Sequence, residues 1–170
     1  MILQAIETTQ EALEGIGVLV TPAAGNPPAP GEDFSWTTAV PDLGMPAGLC
    51  AGRLECRARP MRLAKMERHF RTPELLSAVD GDAVLCVAPP QEPGSGGLSG
   101  LRALILRKGQ SVVLDAGTWH WIPYPTGTAN VRFMVVFRAQ TGDDDLDFFE
   151  PAVAADIAFQ LRLFQKSEDF

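Results

Sequence analysis

The chain contains only two histidines, and both lie among residues that could carry out acid–base chemistry. His69 follows Lys65 and Glu67 in the segment KMERH, and the period of two of a β-strand would place all three on one face. A carboxylate beside an imidazole is a common way to fix the tautomer and the basicity of a histidine. The pattern predicts His69 and Glu67 as catalytic residues, although a solvated charge ladder on a surface strand fits it as well.

The second histidine, His120, lies in the aromatic segment GTWHWIP, directly after the apolar run QSVVLD. Trp119 and Trp121 flank it, and large rigid rings beside a proline are typical of the wall of a small pocket. A hydrogen-bonded histidine beneath a loop is the alternative. We predict that His69 and His120 face the same cavity as an acid–base pair.

A metal ion or organic cofactor is not predicted. Transition metals take about three protein ligands, and the chain has no Cys-x-x-Cys or His-x-His spacing to supply them. The candidate donors are dispersed along the sequence: His69, His120, Glu67, Asp115 and Cys86. Walker, GxGxxG and GxSxG motifs are also missing from the sequence, which disfavours phosphate-binding loops, dinucleotide sites and serine nucleophiles.

The composition predicts one hydrophobic core and a small-molecule partner. The chain has 170 residues, of which 46% are hydrophobic, and this length favours a single domain over residues 1–170. The formal net charge is −7, with acids and bases interspersed, which disfavours a nucleic-acid partner. Without a long apolar segment or a basic leader, we expect no membrane partner and a cytoplasmic location. Cys50, Cys56 and Cys86 are expected to be reduced thiols.

The elements that would position the histidines are short strands. Sixteen glycines and fourteen prolines predict many turns. Between these turns lie short apolar or β-branched runs, which are typical of a β-sandwich or barrel: residues 49–59, 63–70, 83–88, 101–106, 111–114 and 131–138.

Helices are expected only near the two ends of the chain. Residues 8–16 have helix-capping residues and terminal glycines, and residues 151–164 have apolar side chains at helical spacing. Residues 21–48 are rich in proline and predict a long loop or arm. The three aspartates at residues 143–145 are interpreted as a solvated turn.

Two blocks of the sequence resemble the ureidoglycolate lyase family. The run MERHFRTPELLSAVDGDAVLCVA is similar to that family's ERH block, and LRALILRKGQSVVLDAGTWHWIP is similar to its block ending in Trp-His-His-Pro. RFMVVFR and the Arg57-Ala58-Arg59-Pro60 segment also resemble family motifs. The similarity covers approximately residues 50–138.

The resemblance implies a mainly β fold, a cupin-type double-stranded antiparallel β-barrel (jelly roll), and a homodimer. It implies lyase cleavage of (S)-ureidoglycolate to glyoxylate and urea, late in allantoin (purine) catabolism, without a cofactor. This small anionic substrate needs a base, a proton donor for the leaving urea and a cation for its carboxylate. His69 and His120 are the expected acid–base pair and Glu67 their orienting residue. The expected substrate-binding residues are Arg57, Lys65, Trp119, Trp121 and Asp115.

The sequence departs from the family pattern inside the second block. Val113-Leu114-Asp115 stands where the family has Asn-Tyr-His, and Trp121 follows His120 where the family has a second histidine. Small polar substrates are specified by such groups, so two alternatives stay open beside the lyase. One is a diverged cupin enzyme for another carboxylate-bearing ligand, and the other is a cupin that binds a small molecule without catalysis.

Overall fold

Short β-strands make up nearly all of the regular structure in the computed structural model, which describes residues 1–21, 29–30, 35–36, 39–40, 42–94 and 97–159. The strands are β1 (Ile2–Glu7), β2 (Gly17–Leu19), β3 (Ala29–Pro30), β4 (Ser35–Trp36), β5 (Leu49–Cys56), β6 (Arg62–Leu63), β7 (Met66–Arg68), β8 (Glu74–Ala78), β9 (Ala83–Ala88), β10 (Arg102–Leu106), β11 (Ser111–Leu114), β12 (Trp119–His120), β13 (Tyr124–Pro125), β14 (Val131–Arg138), β15 (Asp147–Phe149) and β16 (Ala155–Ala158). A 3₁₀ turn at Glu11–Leu13 and the one-turn helix α1 (Thr141–Asp144) are the described helical elements.

The strands form two large sheets. One has nine strands, in the order β15-β7-β12-β9-β10-β1-β16-β6, with β13 also paired to β9. The other has five strands, in the order β2-β11-β8-β14-β5, and β3 and β4 form a separate two-stranded ribbon. The prediction of a mainly β, double-sheet architecture is therefore confirmed.

Two hydrophobic cores lie on opposite sides of the nine-stranded sheet. The inner core fills the space between the sheets, where Leu85 and Val87 of β9 meet Leu76 and Phe133 of the five-stranded sheet. The outer core lies on the other side of β9 and includes Cys86, the alternate residue. Because successive side chains of a strand point to opposite faces, a strand buried on both faces reads as a continuous apolar run.

The first strand is an exception to the antiparallel pairing of the other strands. β1 pairs in parallel with both β10 and β16, so the two ends of the described chain lie side by side in the nine-stranded sheet. Leu3 and Ala5 of β1 contact the outer core together with Ile157 of β16. The outer core thus includes side chains from both ends of the described part of the chain.

The structure does not form the predicted helices in the described parts of residues 8–16 and 151–164, apart from one 3₁₀ turn. Within residues 8–16 only the 3₁₀ turn is helical, since Gly15 adopts a positive φ of 70° and Gly17 begins β2. Within residues 151–159 the structure has the strand β16, in which Ala155 and Ile157 are buried and Asp156 is exposed. Residues 160–164 of the predicted helix lie outside the described part of the chain.

Three of the internal strand predictions agree with the structure at both ends. The runs at 83–88, 111–114 and 131–138 coincide with β9, β11 and β14. The run at 63–70 splits into β6 and β7. β1, β2, β8, β12, β13 and β15 lie outside the predicted runs.

The proline-rich segment at 21–48 is described at residue 21, the β3–β4 ribbon, residues 39–40 and residues 42–48, and its other residues lie outside the described part of the chain. The three cysteines are unbonded, and Cys56 and Cys86 are buried, as expected. Burial raises the pKa of Cys56 to about 11 and that of Cys86 to about 12, although the Arg59 guanidinium acts in the opposite direction. Among the described helices, none has the length and apolar character needed to cross a membrane.

Because β2 packs closely on β11, we predict that Gly17 does not tolerate substitution by a residue with a Cβ atom. A Cβ atom at this position would overlap the Val113 carbonyl oxygen, a backbone atom that cannot rotate away. We expect Gly17→Ala to lower the free energy of unfolding by about 2 kcal/mol or more in urea denaturation. Gly52→Ala in β5 is the matched control, because its Cβ meets no atom within 4 Å, and it should change stability by less than about 0.5 kcal/mol. Equal stability of the two variants would contradict the packing argument.

Candidate active site

Strand register places a histidine and a carboxylate on the barrel-facing side of the nine-stranded sheet. His120 of β12 pairs with Val87, an inner-core residue, and with Glu67 of β7 on its other side. Residues directly opposite on neighbouring strands share one face of a sheet. Glu67 and His120 therefore both face the five-stranded sheet. On the facing side of that sheet, Glu74 of β8 lies on the same face as the inner-core residue Leu76.

Both ring nitrogens of His69 have partners. The Nδ1–H donates to the carbonyl oxygen of Thr72 at 3.0 Å, and Nε2 lies 2.9 Å from Oε2 of Glu74. A carbonyl only accepts, so Nδ1 carries a proton, and one further proton must lie between Nε2 and the carboxylate. The Phe137 ring stacks against the imidazole with 6.5 Å between ring centroids.

Electrostatics favour placing that shared proton on His69. Burial alone would lower the pKa of the imidazole, but the hydrogen bond and charge of Glu74, the Thr72 carbonyl and the charge of Asp145 outweigh it. The pKa of His69 is therefore raised above its ordinary value of 6.5. His69 and Glu74 form a buried imidazolium–carboxylate pair.

His120 has one satisfied nitrogen and one free nitrogen. Its Nδ1–H donates to the Thr118 carbonyl oxygen at 2.9 Å, and the Thr118 hydroxyl is itself fixed to the Ile16 carbonyl. Its Nε2 is fully buried and has no hydrogen-bond partner. The nearest carboxylate oxygens are Oε2 of Glu74 at 3.7 Å and Oε1 of Glu67 at 3.9 Å. The ring centroids of the two histidines are 5.1 Å apart.

Asp145 is not part of a solvated turn, as the sequence had suggested, but supports this cluster. It is 8% exposed, and its two carboxylate oxygens accept the backbone N–H groups of Phe70 and Arg71 at 2.9 and 2.8 Å. These are the two residues that follow His69. Asp145 thus holds the turn that brings the Thr72 carbonyl back to the imidazole, whereas Asp144 forms surface ion pairs.

Three donor atoms of this site lie close enough to hold a metal ion. One nitrogen each from His69 and His120 and a carboxylate oxygen of Glu74 all lie within 4.8 Å of one another. Metal binding there would first require the proton shared by His69 and Glu74 to leave, because a ligating imidazole nitrogen must be unprotonated.

Lys65, a predicted substrate-binding residue, lies two positions before Glu67 of β7. Its ammonium lies 4.0 Å from the centroid of the Phe148 ring and 5.7 Å from that of Trp121, a predicted site residue that packs against the outer core. Phe148 is the cross-strand partner of Glu67. The half-buried Glu67 therefore lies opposite an aromatic ring that the Lys65 ammonium contacts.

The structure separates three other predicted residues from the histidines. Trp119 lies in the outer core, because it precedes His120 in the strand and so points to the opposite face, where its indole N–H donates to the Gln91 carbonyl. Asp115 follows the buried Leu114 and has an exposed side chain. Arg57 is also exposed. Within the described residues, neither has a side-chain ion pair or hydrogen bond with the cluster.

Glu74 is the functional residue that sequence analysis missed. The segment TPELLSA was not recognised as a strand, so its carboxylate was not assigned to a face. With β8 in place, Glu74 shares a face with Leu76 and Ala78. An acid on an apolar face is the pattern that could have identified it.

The two-sheet architecture, with two histidines and a buried carboxylate inside it, agrees with the fold expected from the resemblance. The sequence model of the family described as ureidoglycolate lyase matches residues 44–157, and this chain belongs to that family. A curated ureidoglycolate lyase from Chelativorans sp. (strain BNC1) is 30% identical over 92 residues. That match covers 54% of this chain and 54% of the relative, so the chain spans about half the length of the curated relative it matches.

Solved structures with related shapes are more distant in sequence. A dTDP sugar isomerase from Desulfovibrio desulfuricans G20 is 12% identical with a TM-score of 0.48, over 79% of this chain and 84% of that chain. An oxalate decarboxylase from Bacillus subtilis is 16% identical with a TM-score of 0.41, over 61% of this chain and 24% of that chain.

The raised pKa of His69 predicts a pH-dependent contribution to stability. A histidine whose pKa is higher in the folded state stabilises the protein below its unfolded pKa of about 6.5, and this contribution is lost as the pH rises through the folded pKa. We expect Glu74→Gln to lower the free energy of unfolding by about 3 kcal/mol at pH 5.5, and by less as the pH rises to about 8.5. Urea denaturation across this range measures the difference.

The control for this measurement is Glu11→Gln, which alters an exposed glutamate and should match the unmodified protein at every pH. A destabilisation by Glu74→Gln that is constant or grows with pH would contradict the charged pair.

Proposed function

We propose that this protein is a lyase that cleaves ureidoglycolate to glyoxylate and urea in purine (allantoin) catabolism. Family membership supports the reaction class, and one observation on this chain carries the proposal: the buried, unpaired Nε2 of His120 beside the His69–Glu74 pair. A free base and a protonated imidazole held 5.1 Å apart are what the collapse of a hemiaminal requires.

His120 is the general base of the proposed reaction. The Thr118 carbonyl keeps the proton on Nδ1, which leaves a lone pair on Nε2 to accept the substrate's hydroxyl proton. As that proton moves, the hydroxyl oxygen forms the carbonyl of glyoxylate and the carbon–nitrogen bond breaks. The electron pair of that bond passes to the urea nitrogen.

The His69–Glu74 pair supplies the proton that the departing nitrogen needs. The proton that His69 Nε2 and Glu74 share moves onto the Glu74 carboxylate, and the carboxyl group gives a proton to the urea nitrogen as the carbon–nitrogen bond breaks, which leaves His69 neutral. After the step His120 is protonated and the pair has lost a proton. Transfer from His120 Nε2 to Glu74 Oε2, 3.7 Å away, restores the starting state.

The substrate's carboxylate is proposed to bind near Lys65. This ammonium lies over the ring of Phe148, which is the cross-strand partner of Glu67 in the sheet that carries the cluster. An ammonium there compensates the negative charge of the substrate. The exposed Arg57 would assist only by attracting the anion as it approaches.

A diverged cupin enzyme, acting on a less polar carboxylate-bearing ligand, is the second candidate function. Leu114 favours it, because this residue is buried in the inner core where the family has a tyrosine. A leucine gives no hydrogen bond to a polar substrate. A cupin that binds such a ligand without catalysis is the remaining alternative.

We further propose that the chain is metal-independent in this reaction, needs no organic cofactor and works in the cytoplasm, where free thiols such as these stay reduced.

Turnover of (S)-ureidoglycolate tests the proposed reaction. We expect urea release with a kcat/KM below about 10⁴ M⁻¹s⁻¹, because the family's tyrosine and second histidine are replaced and each lost hydrogen bond to a charged group costs about 1.5–3 kcal/mol. His69→Ala and His120→Ala should each abolish the activity, while Glu11→Gln and added chelator should leave it unchanged. Thermal unfolding of each variant confirms that it is folded.

Three results would refute the proposal: no urea release by the unmodified protein, full activity of either histidine variant, or loss of activity in chelator.

We also propose that the protein forms a two-fold homodimer. β5 is the end strand of the five-stranded sheet within the described residues, it is eight residues long, and Leu49 at its start is 46% exposed. A long edge strand is protected best when it is covered, and symmetric pairing of two copies is the common solution. Light scattering should report twice the chain mass at micromolar concentration, and a monomer would contradict this assembly.

A further inference from the structure

The cluster around His120 presents hydrogen-bond acceptors and no free donor. With Nδ1–H bound to the Thr118 carbonyl, the neutral ring offers only a lone pair at Nε2. The carboxylates of Glu67 and Glu74 accept as well. The donor groups of the cluster, the two N–H groups of the His69 imidazolium, are already taken by Thr72 and Glu74.

The three acceptor groups do not form hydrogen bonds with one another. Nε2 of His120 lies 3.7 Å from Glu74 and 3.9 Å from Glu67, which is beyond hydrogen-bond distance. The histidine side chain is only 5% exposed, so bulk water does not satisfy the atom. A buried polar atom without a partner is costly and points to a group that is supplied from outside.

The charges of the cluster indicate which kind of ligand group can bind there. The Glu74 carboxylate is hydrogen-bonded to the His69 ring, whereas the Glu67 carboxylate has no ion pair with a lysine or arginine among the described residues. A carboxylate placed here would meet like charge and no free donor, which costs free energy. A group rich in N–H and O–H donors would satisfy all three acceptors.

We propose that Glu67 and Glu74 are specificity-determining residues that bind the N–H groups of a ureido ligand, while its hydroxyl donates to Nε2 of His120. This proposal rests on the proposed function and extends it, because it names which end of the substrate the cluster binds. The carboxylate end then points away from the cluster, toward Lys65. Ligands that carry a terminal carbamoyl group are selected over those that carry a methyl group in its place.

Two unreactive compounds test the predicted preference for a terminal carbamoyl group. N-carbamoylglycine and N-acetylglycine share a carboxylate, an amide N–H and a carbonyl, and differ only in a terminal NH₂ or CH₃. Titration calorimetry in the presence of chelator should give a dissociation constant about ten- to a hundredfold lower for N-carbamoylglycine, the value of one or two hydrogen bonds to charged acceptors.

Glu67→Gln should reduce this preference by about tenfold, because a neutral amide is a weaker acceptor and adds donors of its own. Glu67 is half-buried at the edge of the sheet, so the substitution should leave the fold intact, which thermal unfolding checks. Glu11→Gln is the matched control and should keep the full preference.

Equal affinity for the two compounds overturns the proposal, as does the absence of binding by either at millimolar concentration. An unchanged preference in Glu67→Gln, or binding that requires an added divalent ion, overturns it too. These results are independent of turnover: a protein that prefers N-carbamoylglycine but releases no urea refutes the lyase and keeps the ureido site. A lyase without this preference refutes the ureido site alone.

Discussion

The buried ion pair between His69 and Glu74 is the interaction on which the site depends. Taking two charged groups out of water is expensive, and their attraction offsets the cost only when the remaining hydrogen-bonding atoms are also satisfied. Here the Thr72 carbonyl satisfies the second nitrogen of the imidazole, and Asp145 fixes the turn that carries this carbonyl. Residues from both sheets and from the end of α1 are therefore needed to hold one proton in place.

Alternation along β7 and β12 separates packing from chemistry. Glu67 and His120 face the interior of the barrel, whereas Trp119 and Arg68 face the other side. There the Arg68 guanidinium stacks on the Trp119 ring and pairs with Asp147 of β15. These contacts on the outer face hold β7 and β12 in place, and so they position the side chains of Glu67 and His120 on the inner face.

The substitutions within the family motif change the polarity of the barrel interior more than its charge. Leu114 points inward and replaces a polar group with an apolar one, whereas Asp115 points to solvent and adds no charge to the cluster. The charge near His120 comes instead from Glu67 and Glu74. A site of this composition is suited to a ligand with donors at one end and a carboxylate at the other.

The sequence by itself determined the strands whose apolar runs are continuous, such as β9, and the family motif around His69 and His120. These features are local, because alternation and turn residues act over a few positions. Only the tertiary structure decided that β1 and β16 pair in parallel and that Glu74 joins the histidines. It also decided that Trp119 and Asp115 lie away from them. Such contacts depend on register between strands distant in sequence, and a shift of one residue would exchange every inward side chain for an outward one.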